Sequence, residues 1–461
     1  MSRKYMAETL VECWEATVRA APEARALLAA ESGRSWSRAE LAEAVSIWRE
    51  ALPDTVRAEL RGQRVVMAVP NGVEWWTIFL GLLAEGAIPA ALDATEPETA
   101  QLATARAVGA ARWWRGGKLE RVAEKRAARR GDLCLLKLTS GSTGTPRALE
   151  FTHAQMIADG KQVCATMGIG PEDVNLAIIP FGHSYGLGNL VMPLILQGTA
   201  AVMAESPLPQ ALAAACERGR ATVFPAVPAV LRGLVSANVE PEKLATLRLV
   251  ISAGAPLSAE IAAGFAAKFA RRVHAFYGTS ETGGICFDRT GEATLAGTGV
   301  GAPLEGVTLH WRRGGRFAVE SAAVRGSGNF SPPDRAERNA QGEVTLLGRT
   351  RRMVKIGGRR LELGEIEAAL RALPGVREAW ATAHPTRADA LAVVVATEAE
   401  VTVLKEALRA RVAPWKVPER WVAVREFPLT ARGKTDRTLM RALVAGGAVG
   451  NGDAAGSGET Q

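Results

Sequence analysis

The chain has 461 residues, 48% of them hydrophobic and 23% charged, with a formal net charge of +8 at pH 7. That balance excludes a disordered polymer and is ordinary for a folded globular protein, and the length predicts about three domain-sized units. Cys13, Cys134, Cys164, Cys216 and Cys286 are scattered, with no C-x-x-C pair and no histidine in ligand spacing. This excludes a disulfide scaffold or structural zinc as the organising feature and predicts a reducing compartment, with Cys134 and Cys164 in the core.

The N-terminal residues form no apolar h-region, so we expect no secretory signal and a cytoplasmic location. Up to about residue 130, helical and strand patterns alternate: a strand over Val65–Val69, a helix over Trp75–Leu83 and, after a stop at Gly86, a second strand to Leu92. Such alternation predicts parallel sheet. The basic run Arg112 to Arg130 reads as a solvated helix face, with Glu120 and Glu124 as spaced partners, rather than a nucleic-acid surface. The mostly apolar Leu133–Leu138 then runs into Thr139-Ser140-Gly141-Ser142-Thr143-Gly144-Thr145-Pro146-Arg147. Glycines let a backbone approach a ligand, the N–H groups and hydroxyls of such a turn form an anion-binding concavity, and the Arg147 fork suits phosphate oxygens. We read it as a polyphosphate cradle. It is not the P-loop, because Gly141 and Gly144 are too close and no Gly-Lys follows. A loop at a strand end is where α/β proteins bind nucleotides.

After a helix beginning at His153, the uncharged span Val174 to Ala204 is too interrupted by Asn175, Pro180, His183, Asn189, Pro193 and Gln197 to cross a bilayer. It reads as a strand (Val174–Pro180), a loop, a helix (Leu187–Leu196) and a strand (Ala200–Met203). Strands over Thr222–Phe224 and Leu247–Ser252 follow, the second ending in the turn Gly254-Ala255-Pro256. Tyr277-Gly278-Thr279-Ser280-Glu281 offers an aromatic plate, hydroxyls and one carboxylate. With the first loop it could hold a nucleotide and its Mg²⁺, which takes one or two carboxylates plus phosphates. From Leu309 the pattern turns to short antiparallel strands. A compact unit follows, with Leu363, Ile366, Leu370 and Leu373 on one helical face, strands over Glu378–Thr382 and Ala390–Ala396, a helix over Val401–Val412 and a strand over Trp421–Val424. Lys355 precedes a Gly357-Gly358 turn and Lys434 follows Gly433. The expected fold is α/β. Residues 1–348 form a large N-terminal domain of mixed and parallel sheets with helices and a small antiparallel barrel-like part. Residues 349–445 form a small, mobile α+β domain, and 446–461 a disordered tail.

In this order, from Asn71–Asp93 to Arg437, these segments resemble the adenylate-forming superfamily, closest in type to acyl-CoA synthetases. The resemblance implies an ATP-dependent acid–thiol ligase. It would activate a carboxylic acid, fatty or aryl, as an acyl-adenylate and pass it to CoA or to the phosphopantetheine of a separate acyl carrier protein, with no nucleic acid and no membrane span involved. It further implies that Thr139, Ser140, Gly141, Ser142, Thr143, Gly144 and Arg147 wrap the ATP phosphates. Gly254, Ala255, Pro256 and Tyr277 would hold the adenine, with Gly278 and Thr279 in the same nucleotide site. Ser280 would lie near the α-phosphate, Glu281 on Mg²⁺, and Asp334 and Arg349 at the ribose. Lys434 would reach the α-phosphate and the acyl carboxylate, and His183 would stand beside the acyl pocket. A hinge at Arg351 would then let Lys355 replace Lys434. The residue types suit the chemistry, since a carboxylate attacking an anionic phosphate meets a repulsion of several kcal/mol that nearby cations offset.

The chain departs from the family pattern. Arg147 and Ala148 stand where lysine and glycine are usual, Ser331-Pro332-Pro333-Asp334 replaces Thr-Gly-Asp, and the hinge is Arg351. These departures leave a non-catalytic nucleotide-binding protein as one alternative. The other is a serine acyl hydrolase, because Gly182-His183-Ser184-Tyr185-Gly186 matches the nucleophile elbow, with Ser184 as nucleophile and His274, His310 or His384 as base.

Overall fold

A computed structural model describes residues 8–122, 132–139, 147–349, 353–356, 359–387, 390–430 and 435–446, without the side chains of residues 349, 353, 355, 359, 360 and 362. Ser140 to Pro146, Arg351, Gly357, Gly358, Lys434 and the segment after Gly446 lie outside the described residues. Contacts divide the chain into two compact units, one of Met1–Pro332 with Ala336–Leu346 and one of Pro333–Arg335 with Leu347–Gln461. Among the described residues no helix is long and apolar enough to cross a membrane.

The first unit contains two large sheets. The nine-stranded sheet runs, in space, Ala302–Pro303, Gly283–Phe287, Val273–Thr279, Leu249–Ser252, Val223–Ala226, Val174–Ala177, Ala200–Met203, Arg25–Ala29 and Ser35–Ser37. Its six central strands, Val273–Thr279 through Arg25–Ala29, pair in parallel. Burial on both faces explains their short apolar runs; Val223–Ala226 and Leu249–Ser252 are buried throughout. The six-stranded sheet runs Lys118–Arg121, Arg112–Arg115, Arg64–Met67, Ile88–Ala91, Leu133–Thr139 and Arg147–Thr152. Its four inner strands are parallel, with an antiparallel hairpin at each edge. The core between helices and sheets includes an aromatic cluster in which Trp75 stacks on Phe79 at 4.6 Å and Trp75 and Trp76 both meet Phe181. A small antiparallel sheet follows, of Thr308–Arg312, Arg316–Glu320 and Asn329–Phe330.

Over its described residues the basic run from Arg112 is a hairpin, not the helix face expected. Its strands are Arg112–Arg115 and Lys118–Arg121, with Trp113 and Trp114 buried. Gly116 and Gly117 both take positive φ, 53° and 79°, the requirement of the tight turn whose twist matches paired strands. Arg112 reaches Glu59 at 2.7 Å and Glu120 lies 3.6 Å from Arg115. Residues 123–130, including Glu124, lie outside the described residues.

The helix expected over Leu187–Leu196 is a π-turn, Leu187–Val191, continued by an α-helix, Met192–Gln197. The helix His153–Met167 starts at a capping box of Thr152 with Gln155 and ends at Gly168, whose φ is 61°.

In the second unit, Val376–Ala383, Leu391–Thr397 and Arg420–Val424 form a sheet, antiparallel then parallel. Helices Leu363–Arg371, Val401–Arg409 and Arg437–Ala445 belong to the same unit. Glu367 is buried and accepts a hydrogen bond from the Ala381 amide at 2.8 Å, tying helix to strand. All five cysteines are buried and free.

Candidate active site

Parallel strands point their C-terminal ends the same way, and loops there are the usual ligand sites of α/β sheets. In the nine-stranded sheet this edge carries the loop from Ile178 to Gly186, the Gly254-Ala255-Pro256 turn and the Ser280 turn after Thr279. In the six-stranded sheet, Met67, Ala91 and Thr139 end parallel strands at one edge. Thr139 pairs with Arg147 across that sheet's outer hairpin, and its hydroxyl donates to the Arg147 carbonyl at 3.4 Å. The root of the hydroxyl-rich turn therefore stands on the same edge as Met67 and Ala91.

The two edges meet at the loop from Ile178 to Gly186. Asn71 donates from Nδ2 to the Ile179 carbonyl at 2.9 Å and accepts from the Phe181 amide at 2.9 Å. A Cβ at Gly182 would overlap Ala91, and one at Gly186 would overlap the Pro180 carbonyl. Both glycines are therefore dictated by close approach rather than by φ. On the other side, the Ser184 hydroxyl donates to Ser280 Oγ at 3.0 Å, joining this loop to the Tyr277–Glu281 segment.

The Ser280 turn is closed from within. Thr282 is fully buried, and its hydroxyl lies 3.0 Å from that of Thr279 and donates to the Gly283 carbonyl at 3.0 Å. The Arg325 amide donates to the Glu281 carbonyl at 2.9 Å. The Glu281 side chain is half-buried and enters no ion pair with the described residues. A carboxylate at this turn fits the donor set of Mg²⁺, which that group would share with phosphate oxygens. Gly254 has φ of 87°, which favours glycine at that turn, and Gly254, Ala255 and Pro256 are exposed.

His183 accepts from the Tyr185 amide at Nδ1, 3.3 Å, so the neutral ring carries its proton on Nε2. Tyr185 is buried. Its hydroxyl donates to the Ile251 carbonyl at 3.3 Å, its ring lies 5.9 Å from Phe276, and burial pushes its phenol well above the usual value. It therefore supports the loop as a neutral group.

The histidines needed for a Ser184 triad are engaged elsewhere. His274 Nδ1 lies 2.8 Å from the Asp288 carbonyl, His310 pairs with Glu320, and His384 accepts from the Thr386 and Arg387 amides.

In the second unit the flanks of Lys434 are pinned. Leu429 bridges Thr435, the Asp436 amide donates to the Pro428 carbonyl at 2.8 Å, and Asp436 caps the last helix through the Thr438 and Leu439 amides. Asp334 is buried in the strand Asp334–Arg338, which pairs with Val344–Arg349. Lys355 lies opposite Arg360 in a hairpin.

Two features escaped sequence reasoning. Lys137, in the strand leading to Thr139, is 1% exposed, with its ammonium 3.6 Å from Asp159. Its signal was a lone charge in an apolar strand. Asn71 opens the span Asn71–Asp93, where nothing local marks its bridging role.

A family model described as AMP-binding enzyme matches residues 94–311, and one described as AMP-binding enzyme C-terminal domain matches residues 365–434. The chain is 29% identical over 360 residues to the 2-hydroxy-7-methoxy-5-methyl-1-naphthoate–CoA ligase of Streptomyces carzinostaticus, covering 69% of this chain and 63% of that protein. It is 27% identical to the benzoate–CoA ligase of Thauera aromatica, covering 90% and 94%. The chain thus spans less than two thirds of the first relative's length. Among solved structures, ATP-bound MatB from Rhodopseudomonas palustris superposes with a TM-score of 0.77 at 21% identity, covering 94% of this chain and 98% of that one, a likeness of fold. With two family models matched in order over more than half its length, on an α/β unit followed by a small α+β unit, the chain belongs to the AMP-binding enzymes of the adenylate-forming superfamily.

Proposed function

We propose that the protein is an AMP-forming acid–thiol ligase that activates a carboxylic acid with ATP and passes the acyl group to CoA. The observation that carries this reading is that the His183 loop meets the Glu281 turn and is tied to the sheet that holds Thr139 and Arg147, the two ends of the hydroxyl-rich segment. The Ser184–Ser280 hydrogen bond joins the His183 loop to the Glu281 turn, and Asn71 joins that loop to the sheet from which the hydroxyl-rich turn springs.

In the first step the acid's carboxylate oxygen bonds to the α-phosphorus of ATP while the bond to the bridging oxygen of pyrophosphate breaks. In the second, a thiolate sulfur bonds to the acyl carbon, AMP leaves with the carboxylate oxygen, and the thiol proton goes to solvent. Arg147 and the hydroxyls of Thr139 to Thr143 would hold the phosphates, Gly254 to Pro256 and Tyr277 the adenine, and Asp334 and Arg349 the ribose. Mg²⁺ bound by Glu281 would offset phosphate charge. The Nε2–H of His183 would donate toward the acyl pocket. Lys434 would stabilise the crowded anions during adenylation, and Lys355 would take its place after a rotation of residues 349–445 about Arg351.

Both named relatives act on aryl acids, and no aspartate lies between Val174 and Ala204 to pair with an α-ammonium. We therefore place aryl acids ahead of fatty and amino acids. We also propose a cytoplasmic location.

The test is acid-dependent ATP–pyrophosphate exchange over a panel of aryl and fatty acids, followed by mass spectrometry with CoA and with a phosphopantetheinylated carrier. Exchange with an aryl acid and an acyl-CoA product are expected. Nucleotide binding without exchange for any acid would overturn the reading in favour of a non-catalytic binder.

A further inference from the structure

Lys137 and Asp159 form a buried pair that the chemistry above does not use. Lys137 is 1% exposed and Asp159 3% exposed. The ammonium lies 3.6 Å from Asp159 Oδ2 and 4.2 Å from the centre of the Phe151 ring, and it has no hydrogen-bond partner among the described residues. The other carboxylate oxygen, Oδ1, accepts from the Gly284 amide at 3.0 Å. Gly283, with φ of 71°, has no room for a Cβ because one would overlap the same carboxylate, and a Cβ at Gly188 would lie 3.5 Å from Oδ2.

One carboxylate thus contacts two segments and leaves little room beside a third. These are the strand that ends at Thr139, the backbone directly after the Ser280–Thr282 turn, and the π-turn directly after Tyr185-Gly186. An interior ion pair is a poor source of stability, since desolvation offsets its attraction. It is a good source of geometry, because a buried charged acceptor left without its donor is costly and so admits few arrangements. The side chain that holds the Gly284 amide is itself held by Lys137, two residues before the hydroxyl-rich turn.

We propose that Asp159, oriented by Lys137, is a positioning residue that fixes the Ser280–Glu281 turn relative to the root of the Thr139 loop, and so sets the distance between the groups that hold ATP. The proposal rests on the nucleotide-site reading above. It acts through the Gly284 amide rather than by touching the reactants.

The test compares two double variants that both remove the charges, Lys137→Met/Asp159→Asn and Lys137→Met/Asp159→Leu. Asparagine keeps an acceptor for Gly284, and leucine does not. Hydrogen exchange of the peptide spanning residues 276–287 is read by mass spectrometry alongside a thermal midpoint and ATP–pyrophosphate exchange. The leucine variant is expected to lose protection in that peptide while remote strands such as Ala200–Met203 keep theirs. Its kcat/KM for ATP should fall by about 10²-fold, the usual penalty for a misplacement near 1 Å. The asparagine variant, which keeps the Gly284 acceptor but loses the tie from Lys137, should keep the protection of residues 276–287 and lose up to about tenfold in kcat/KM. If the leucine variant does not fold, Lys137→Met/Asp159→Ala makes the same comparison without branched bulk. Equal protection of residues 276–287 in the acceptor-bearing and acceptor-free variants overturns the proposal. Protection that differs as expected in a protein whose wild type shows no exchange with any acid would uphold the positioning role and sink the ligase reading instead.

Discussion

Asn71 offers a quantitative handle on the site. Its side chain bridges Ile179 and Phe181, and both of those residues are buried, at 6% and 0% exposure. Asn71→Ala strips the partner from one carbonyl and one amide. Each orphaned buried group costs about 1–3 kcal/mol. Because Asn71 itself is half-buried, water can enter the space left by the truncation, so the total belongs near the low end, about 3 kcal/mol. For a unit of this size that lowers the thermal midpoint by about 5 °C. The larger effect should be on rate. The loop between the two bonds leads into His183 and Ser184, and a shift near 1 Å costs about 10²-fold. Differential scanning calorimetry and ATP–pyrophosphate exchange measure the two effects. A variant with the wild-type midpoint and the wild-type exchange rate would show that the loop's position is set elsewhere, and would refute the reasoning.

Lys434→Ala should cut adenylation by about 10²–10³-fold while ATP binding, read by equilibrium dialysis, survives; unchanged exchange would remove Lys434 from the mechanism. Burial holds the His153 imidazole below its ordinary 6.5, and its Nδ1 accepts from the Leu10 amide at 3.0 Å. The unfolded chain takes up that proton at higher pH than the folded one. The stability this ring contributes is therefore complete above about pH 6.5 and declines as the pH falls below it. His153→Gln should flatten the unfolding midpoint between about pH 7 and pH 5.5, a window above the range where depressed carboxyls such as Asp173, ordinarily 3.8, respond. Burial pushes the thiols of Cys13 and Cys164 up to about 12 and that of Cys216 up to about 11, and raises Cys134 and Cys286 as well. Native protein at about pH 8 should resist iodoacetamide, whereas protein unfolded in urea should take up one label per cysteine.

Most strands were legible because parallel strands buried on both faces write themselves as short apolar runs. Val65–Val69 became Arg64–Met67, and Leu247–Ser252 became Leu249–Ser252. In the basic run the charges suggest a solvated helix face, but the turn decides the structure. Gly116-Gly117 between Trp-Trp-Arg and Lys-Leu-Glu-Arg is a hairpin signal, and the arginines there find partners on other elements, Glu59 and Glu98.

The order of chemically distinctive turns is a local property. Hydroxyl-rich loops, glycine-relieved corners and single carboxylates can be read one after another along the chain, and their order alone carries the likeness to the superfamily. Which of those turns touch is not local. Ser184 and Ser280 lie 96 residues apart, Asn71 and Phe181 110 apart, and Asp159 and Gly284 125 apart. The first joins two loops at the C-terminal edge of the nine-stranded sheet, the second joins that edge to the six-stranded sheet, and the third ties a helix to the nine-stranded sheet; each exists only because packing brings distant segments together. A lone lysine in an apolar strand, or an asparagine at a strand end, carries no mark of the partner that packing will bring to it.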